Sequence, residues 1–125
     1  HARDAQGQLI YHTNVMMCLA SDFAVICLEC IDMPQRTTVA EKIQSSGHEL
    51  IEISLEQVYQ FAGNMFEVEN DASQSFLVMS EAALHSLTKD QIETIEKYSE
   101  IISMAIPTIE KYGGGSIRCM MCRVY

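Results

Sequence analysis

Three consecutive glycines, residues 113–115, stand shortly before Cys119, which has Arg118 as its neighbour. Glycine has no Cβ atom, so this stretch can adopt positive φ angles and approach another group closely. A thiol beside such a bend and next to a cation has the surroundings of a reactive nucleophile. The same stretch also fits a buried thiol, because free cysteine packs as a small hydrophobic residue. The residues alone leave both interpretations of Cys119 open.

A histidine much earlier in the chain favours the catalytic interpretation. His12 lies in the sequence Tyr11-His12-Thr13-Asn14. A thiol nucleophile needs a neighbouring group that accepts and returns a proton, and imidazole is well suited to this role. His12 would equally serve as a hydrogen-bonded strand histidine, and Asn14 as an ordinary strand-edge residue. Catalysis therefore requires a fold that brings His12 to Cys119.

The composition is that of one globular domain with a hydrophobic core. The chain has 125 residues, of which 48% are apolar and 20% are charged. Seventeen acidic residues against eight basic ones give a formal net charge of −9. This balance disfavours nucleic acids and anionic lipids as partners, because their binding depends on clusters of Lys and Arg. We expect neither a nucleic acid nor a membrane as partner.

The cysteines and the hydropathy predict a cytoplasmic location. The sequence has no run of about 20 apolar residues that would span a membrane. It has no basic segment followed by an apolar one that would direct secretion. The five cysteines are an odd number and lie in apolar runs rather than in the loops of a disulfide scaffold. Such cysteine usage is typical of a reducing compartment.

The hydrophobic pattern of the first half predicts a hairpin, a helix and a strand. Ser21 and Asp22 supply the turn of the hairpin. An amphipathic helix follows, capped by Asp32 and stopped by Gly47. The strands of this half are predicted over 9–19, 23–31 and 49–54.

The second half repeats this order. The spacing of Ser54 and Gln57, and again of Thr88 and Gln91, is that of a capping box, which marks a helix start. The second box predicts the longest helix, which has apolar residues on one face as far as residue 102 and ends or kinks at Pro107. The other predicted elements are a helix over 55–61, strands over 65–69 and 76–79, a helix over 81–87, an extended segment over 108–112 and a last strand from Ile117 to Tyr125.

The order strand–strand–helix–strand therefore occurs twice, at about 9–54 and at about 64–112. The two copies share their pattern and have negligible sequence identity. Hairpins that alternate with helices indicate α/β layers with mixed sheets.

Four motifs resemble the pentein, or amidinotransferase, superfamily, and most closely its arginine-deiminase-related branch of citrulline-utilization hydrolases. They are YHTNVM at 11–16, EISLEQ at 52–57, FAGNM at 61–65 and GGGSIRCM at 113–120. The resemblance implies an α/β propeller of about five strand–strand–helix–strand units around a central active site. Residues 1–125 would form a single C-terminal fragment of this domain, with about two units and part of the closing one. The N-terminal half, which supplies the first substrate-binding carboxylate, would be absent.

The resemblance also implies a chemistry. In this superfamily a cysteine near the C-terminus attacks the electron-poor carbon of a guanidino or ureido group, and Cys119 stands at its position. His12 matches the histidine that acts as general acid and base. Ammonia leaves, a covalent cysteine intermediate forms, and neither an organic cofactor nor a metal is required. The implied substrate-binding residues are Asn14, Asn64, Gly115 and Arg118.

Asn14 departs from the pattern of arginine deiminases, which have a carboxylate at this position. An amide cannot neutralise a guanidinium, but it can donate to and accept from a neutral ureido group. We therefore expect a ureido substrate such as citrulline.

Two further interpretations remain. The pairs Cys27/Cys30 and Cys119/Cys122 have the spacing of zinc ligands. Both pairs lie in strand-like runs, where residues i and i+3 point to opposite faces, so we predict no metal. Alternatively, the chain is a non-catalytic fragment or interaction module. Exposed strand edges would then pair with the N-terminal half or with a second copy in a homo-oligomer.

Overall fold

The computed structural model describes residues 1–122, which form two units of the same architecture. In each unit an antiparallel hairpin is followed by a helical crossover and a third strand, which lies parallel to the second strand. The predicted strand–strand–helix–strand repeat and the mixed α/β sheets are therefore confirmed.

The first unit is built around a fully buried central strand. Its elements are β1 (Met17–Leu19), β2 (Phe23–Ile26), α1 (Met33–Ser45) and β3 (Glu49–Glu52). β2 pairs with β1 on one side and with β3 on the other, and all four of its residues are buried. The predicted turn at Ser21 and Asp22 joins β1 to β2. α1 begins after Asp32 with Pro34 in its first turn, where a missing N–H breaks no helical hydrogen bond.

The second unit follows a short connecting helix, α2 (Leu55–Tyr59). Its elements are β4 (Phe66–Glu69), β5 (Ser75–Ser80), α3 (Glu81–Ser86), α4 (Lys89–Glu96) and β6 (Glu100–Met104). Both predicted capping boxes are confirmed: Ser54 and Gln57 open α2, and Thr88 and Gln91 open α4.

Several polar contacts join the units, among them those of Gln57 with Gln91 and of Glu67 with Ser21. The side-chain amides of Gln57 and Gln91 form a reciprocal pair with distances of 2.7 and 3.2 Å. The carboxylate of Glu67, on β4, accepts from the backbone and the hydroxyl of Ser21 at 2.8 and 2.7 Å. It also accepts from Ser75 at 2.8 Å. Residues of both units form one core, which includes Phe23, Ile26, Ile53, Met65, Leu77, Met79 and Ile95. The two units therefore pack as one body.

The predicted long helix is wrong beyond Glu96. The chain turns at residues 97–99 and then forms β6, in which Ile101 and Ile102 pair with Leu77 and Val78 of β5. Adjacent β-branched residues favour a strand, and parallel pairing with a buried strand satisfies their backbone. Their spacing also fits a helical face, which is why the pattern alone misassigned them.

The end of the described chain is helical where extended structure was predicted. Helix α5 (Pro107–Gly113) replaces the extended segment over 108–112, and Gly114 ends it with a positive φ of 65°. Helix α6 (Ile117–Met120) replaces the start of the predicted last strand. Residues 121 and 122 of the predicted strand form neither strand nor helix, and its residues 123–125 lie outside the described residues. Pro107 and Gly114 explain the bounds of α5, because proline is favoured in the first turn of a helix and glycine just after its end.

The predicted first strand is much shorter than residues 9–19. Only Met17–Leu19 forms a strand, and Thr13–Val15 forms a 3₁₀ helix. Within residues 1–122, no helix combines the length and apolar character needed to cross a membrane.

Candidate active site

Three loops meet beside the first unit: residues 12–16, residues 61–65, and residues 114–116 together with the start of α6 that follows them. Gly63 permits the first contact, because a Cβ atom there would lie only 2.6 Å from the carbonyl oxygen of Val15 and 2.9 Å from Cα of Met16. Backbone atoms cannot yield to such a clash as a flexible side chain would. Glycine at this position therefore brings the second loop against the first.

Cys119 is an exposed residue of α6. Its backbone N–H donates to Ser116, and the buried Ser116 hydroxyl in turn donates to Glu110 at 2.7 Å. A Cβ atom on Gly115 would stand 3.0 Å from the sulfur of Cys119. Gly115 was predicted to bind substrate. Its missing side chain leaves the space that the thiol of Cys119 occupies.

Asn64 touches the same thiol from the second loop. Its amide nitrogen lies 3.2 Å from the sulfur of Cys119 and 2.8 Å from the backbone oxygen of Asn14. Its amide oxygen accepts from the backbone N–H of Arg118 at 3.1 Å. The side chain is 2% exposed, so it lies inside the junction of the three loops.

His12 caps the 3₁₀ helix of the first loop. Its Nδ1 accepts a hydrogen bond from the backbone N–H of Asn14 at 3.1 Å. An accepting Nδ1 carries no hydrogen, so the hydrogen of the neutral ring is on Nε2. The side chain is exposed, and Nε2 is the atom that can exchange a proton with a ligand.

One cavity of about 310 Å³ brings the predicted residues together. His12, Asn14, Arg118 and Cys119 all line it. A second cavity of about 310 Å³ lies on the glycine side of Cys119 and has a largely apolar lining that includes Gly115. The thiol therefore stands between two cavities, one lined by His12, Asn14 and Arg118 and the other largely apolar.

Arg118 is held by an aromatic ring that sequence reasoning missed. The guanidinium carbon lies 4.6 Å from the centre of the Phe66 ring, and Nη1 donates to the backbone oxygen of Met121 at 3.2 Å. Arg118 and Asn14 also line a neighbouring cavity of about 510 Å³. Phe66 is far from Arg118 in sequence, and its place in an alternating strand gave no signal of this contact.

The three buried thiols, Cys18, Cys27 and Cys30, have structural surroundings. Burial raises the pKa of Cys18 to about 12, and the charge of Glu67 adds to this effect. Cys27 and Cys30 are buried at the two ends of a 3₁₀ turn, Leu28–Cys30, rather than in the strand that was predicted. Their mutual hydrogen bond lowers the pKa of Cys27 and raises that of Cys30. Among residues 1–122, no group of three or more His, Cys, Asp or Glu side chains could hold a metal ion.

The comparisons with known proteins concern the family and the fold of the chain. The model of the family described as "N,N dimethylarginine dimethylhydrolase, eukaryotic" matches residues 1–125. No curated protein matches the chain. The resemblance to the pentein superfamily seen in the sequence is therefore confirmed.

Solved structures show the same fold. The apo structure of ArgZ, an arginine dihydrolase of cyanobacteria, gives a TM-score of 0.70 at 15% identity over 95% of this chain. The N-terminal domain of ArgZ bound to its product gives 0.69 at 19% identity over 92% of the chain. Unliganded AgrE gives 0.70 at 17% identity, also over 92%. The chain spans only 17%, 38% and 15% of these three chains, respectively.

Proposed function

The chain belongs to the eukaryotic N,N dimethylarginine dimethylhydrolase family, and from this membership we propose that it supplies the nucleophile and the acid–base group of a hydrolase. The bond cleaved is a C–N bond of a guanidino or ureido group. The observation that carries the proposal is the cavity lined by both His12 and an exposed Cys119. A thiol and an imidazole facing the same ligand-sized space are the two groups that covalent hydrolysis of such a bond requires.

The first half of the proposed reaction forms a covalent intermediate. The thiol of Cys119 gives its proton to His12, which becomes an imidazolium and releases the hydrogen bond at Nδ1. The thiolate attacks the central carbon and forms a C–S bond, which converts the planar carbon to a tetrahedral one. The C–N bond to the leaving nitrogen then breaks as the imidazolium of His12 donates its Nε2 proton to that nitrogen, so ammonia departs and a neutral imidazole remains.

The second half consumes water. His12, now a neutral ring with Nε2 unprotonated, removes a proton from water as the water oxygen attacks the same carbon, and the C–S bond breaks to regenerate the thiolate of Cys119. A guanidino substrate thus yields a ureido product and ammonia. A ureido substrate yields ammonia and a carbamate, which loses carbon dioxide to leave the free amine.

Asn14 supports a neutral ureido substrate such as citrulline. Its backbone N–H and C=O are used by His12 and Asn64, while its side chain lines the cavity. An amide can donate to the ureido oxygen and accept from a ureido nitrogen, but it cannot neutralise a guanidinium. Arg118 at the same cavity suits a carboxylate or carbonyl of the substrate, and Gly115 lets the backbone lie close to it.

The remaining predictions concern the whole domain, and we propose them on the same basis. The two units would be part of an α/β propeller whose other units supply further substrate contacts, including a carboxylate. Activity of this chain without those units would be weak or absent. A cytoplasmic location and a reaction without metal or organic cofactor are part of the same proposal.

The test is the release of ammonia from citrulline, arginine and agmatine, together with dimethylamine from N,N-dimethylarginine, by the intact protein. We expect turnover that disappears in Cys119→Ser and persists in Cys122→Ser, a matched control because both cysteines are exposed. The preferred substrate is expected to be ureido rather than guanidino. Turnover that survives Cys119→Ser would contradict the proposal, and a preference unchanged in Asn14→Asp would contradict the role of Asn14.

A further inference from the structure

Asn64 has an amide whose orientation is fixed by the backbone. Its oxygen accepts from the N–H of Arg118, a group that can only donate. Its nitrogen donates to the carbonyl of Asn14, a group that can only accept. Turning the amide over would place two donors face to face and two acceptors face to face. The atom that Asn64 presents to the sulfur of Cys119 must therefore be an N–H.

This arrangement leaves Asn64 no hydrogen to offer a substrate. A side-chain amide has two N–H groups, and here one points to Asn14 and the other to Cys119. The side chain is also 2% exposed. Both facts speak against the substrate-binding role that the sequence predicted for Asn64.

The backbone around Asn64 is shaped for this contact. Phe61 has a positive φ of 65°, which is rare for a bulky residue and costs free energy. Two residues later, Gly63 admits a backbone approach that any Cβ atom would block. Strain at Phe61 and the absence of a side chain at Gly63 together set Asn64 between the other two loops.

We propose that Asn64 is a positioning residue, which holds the sulfur of Cys119 in a fixed place relative to His12. This inference rests on the proposed function, because it assigns a task within the same reaction. The link to the histidine is short: the N–H of Asn14 binds His12, and the C=O of Asn14 binds Asn64. A chain of three hydrogen bonds thus runs from the imidazole to the thiol.

The contact with sulfur has a chemical consequence besides a geometric one. An N–H directed at a reacting sulfur stabilises negative charge on it, because hydrogen bonds to charged groups are stronger than those between neutral groups. Replacing this N–H by a carboxylate oxygen would put like charges side by side. Removing it would leave the thiol free to rotate away from the cavity that His12 lines.

The experiment is alkylation by iodoacetamide, followed separately at Cys119 and Cys122 by mass spectrometry of the peptides. The intact protein is compared with Asn64→Ala and with Asn64→Asp, which has nearly the same shape. Cys122 serves as the internal reference because it is also exposed and, among the described residues, has no hydrogen bond with Asn64. Asn70→Ala is the matched control, since Asn70 makes its hydrogen bonds within the turn between β4 and β5.

We expect the rate at Cys119, relative to Cys122, to fall about tenfold or more in both Asn64 variants, as befits loss of a hydrogen bond to a charged group. Asn70→Ala should leave the ratio unchanged. An unchanged ratio in Asn64→Asp with a cooperative melt would overturn the proposal. If one of these variants does not melt cooperatively, Asn64→Ser, which is smaller and neutral, takes its place. An unchanged ratio of alkylation rates in Asn64→Ser would then overturn the proposal.

Turnover gives an independent criterion. A positioning role predicts that Asn64→Asp lowers kcat with little change in KM, whereas loss of a substrate ligand would raise KM with kcat preserved and overturn the inference. Alkylation does not require turnover. A failure of the proposed function, which is absence of hydrolysis, is therefore distinguishable from a failure of this inference.

Discussion

The two strand–strand–helix–strand units share a topology, yet the loops that lead into them differ in chemistry. The loop before β1 carries His12 and Asn14, and its histidine is exposed to a cavity. The loop before β4 carries Gly63 and Asn64, and its amide is buried. Both loops occupy the same place in their units and both reach the segment that ends in Cys119.

This difference shows how a repeated scaffold can supply unlike groups to one site. The sheets of both units contribute to a single core, which fixes where their first strands begin. The loops are then free to vary in residue type. In our account the first loop moves protons and the second loop holds the sulfur. Three predictions test the two loops and the packing of the units, beginning with the largest expected effect.

The first prediction tests the exposed histidine of the first unit against that of the second. His12→Ala should reduce kcat/KM for ammonia release by about 10²–10⁴-fold, the usual contribution of a general acid–base group. His85→Ala is the control, because His85 is exposed on α3 outside the cavities that contain Cys119. Equal losses in the two variants would remove the distinction between the units.

The second prediction concerns the approach of the two loops. Gly63→Ala should destabilise the protein by about 3 kcal/mol, the upper end of overpacking costs, because its Cβ would meet backbone atoms. Gly113→Ala should change stability by less than about 0.5 kcal/mol, since its Cβ would meet only a side-chain carbon of Ile109 at 3.7 Å. Urea denaturation measures both. A Gly63→Ala protein as stable as the parent would refute the close approach.

The third prediction tests the contact between the units at Glu67. Burial raises the pKa of this carboxyl, but hydrogen bonds from Ser21, Ser75 and Ser99 outweigh burial, so the pKa lies below its ordinary value. The folded protein therefore stabilises the ionised carboxylate of Glu67 more than the unfolded chain does. Its contribution to stability is present above the ordinary glutamate pKa and is lost as the pH falls through the lowered value.

Glu67→Gln should therefore cost about 1 kcal/mol at neutral pH, since partial exposure screens the carboxylate. The difference from the parent should shrink in acid. Denaturation across the acid range measures this, with the exposed Glu100→Gln as control. A cost that does not depend on pH would show that Glu67 acts by shape rather than by charge.

The scaffold was predictable where local residues decide the structure. Ser54 with Gln57 and Thr88 with Gln91 satisfy helix N–H groups within one turn, so their spacing alone located two helix starts. The hairpin turn at Ser21 and Asp22 is equally local. Ile101 and Ile102 fit a helix and a strand alike, and only pairing with β5 decided between the two.

The residue types of the candidate site could be proposed from the sequence, whereas its contacts could not. His12 and Cys119 were identified through their motifs, and the structure places them on one cavity. The contact of Asn64 with the sulfur, and that of Phe66 with Arg118, join residues more than fifty positions apart. Such contacts depend on how the units pack, which no local pattern encodes.

The central claim is that Cys119 forms a bond to the substrate carbon. Its most direct test is intact-protein mass spectrometry after rapid acid quenching of the protein mixed with citrulline or arginine. We predict an added mass equal to the substrate less ammonia, located on the peptide that contains Cys119, and absent from Cys119→Ser. Turnover with no such adduct, and at an undiminished rate in Cys119→Ser, would contradict the account.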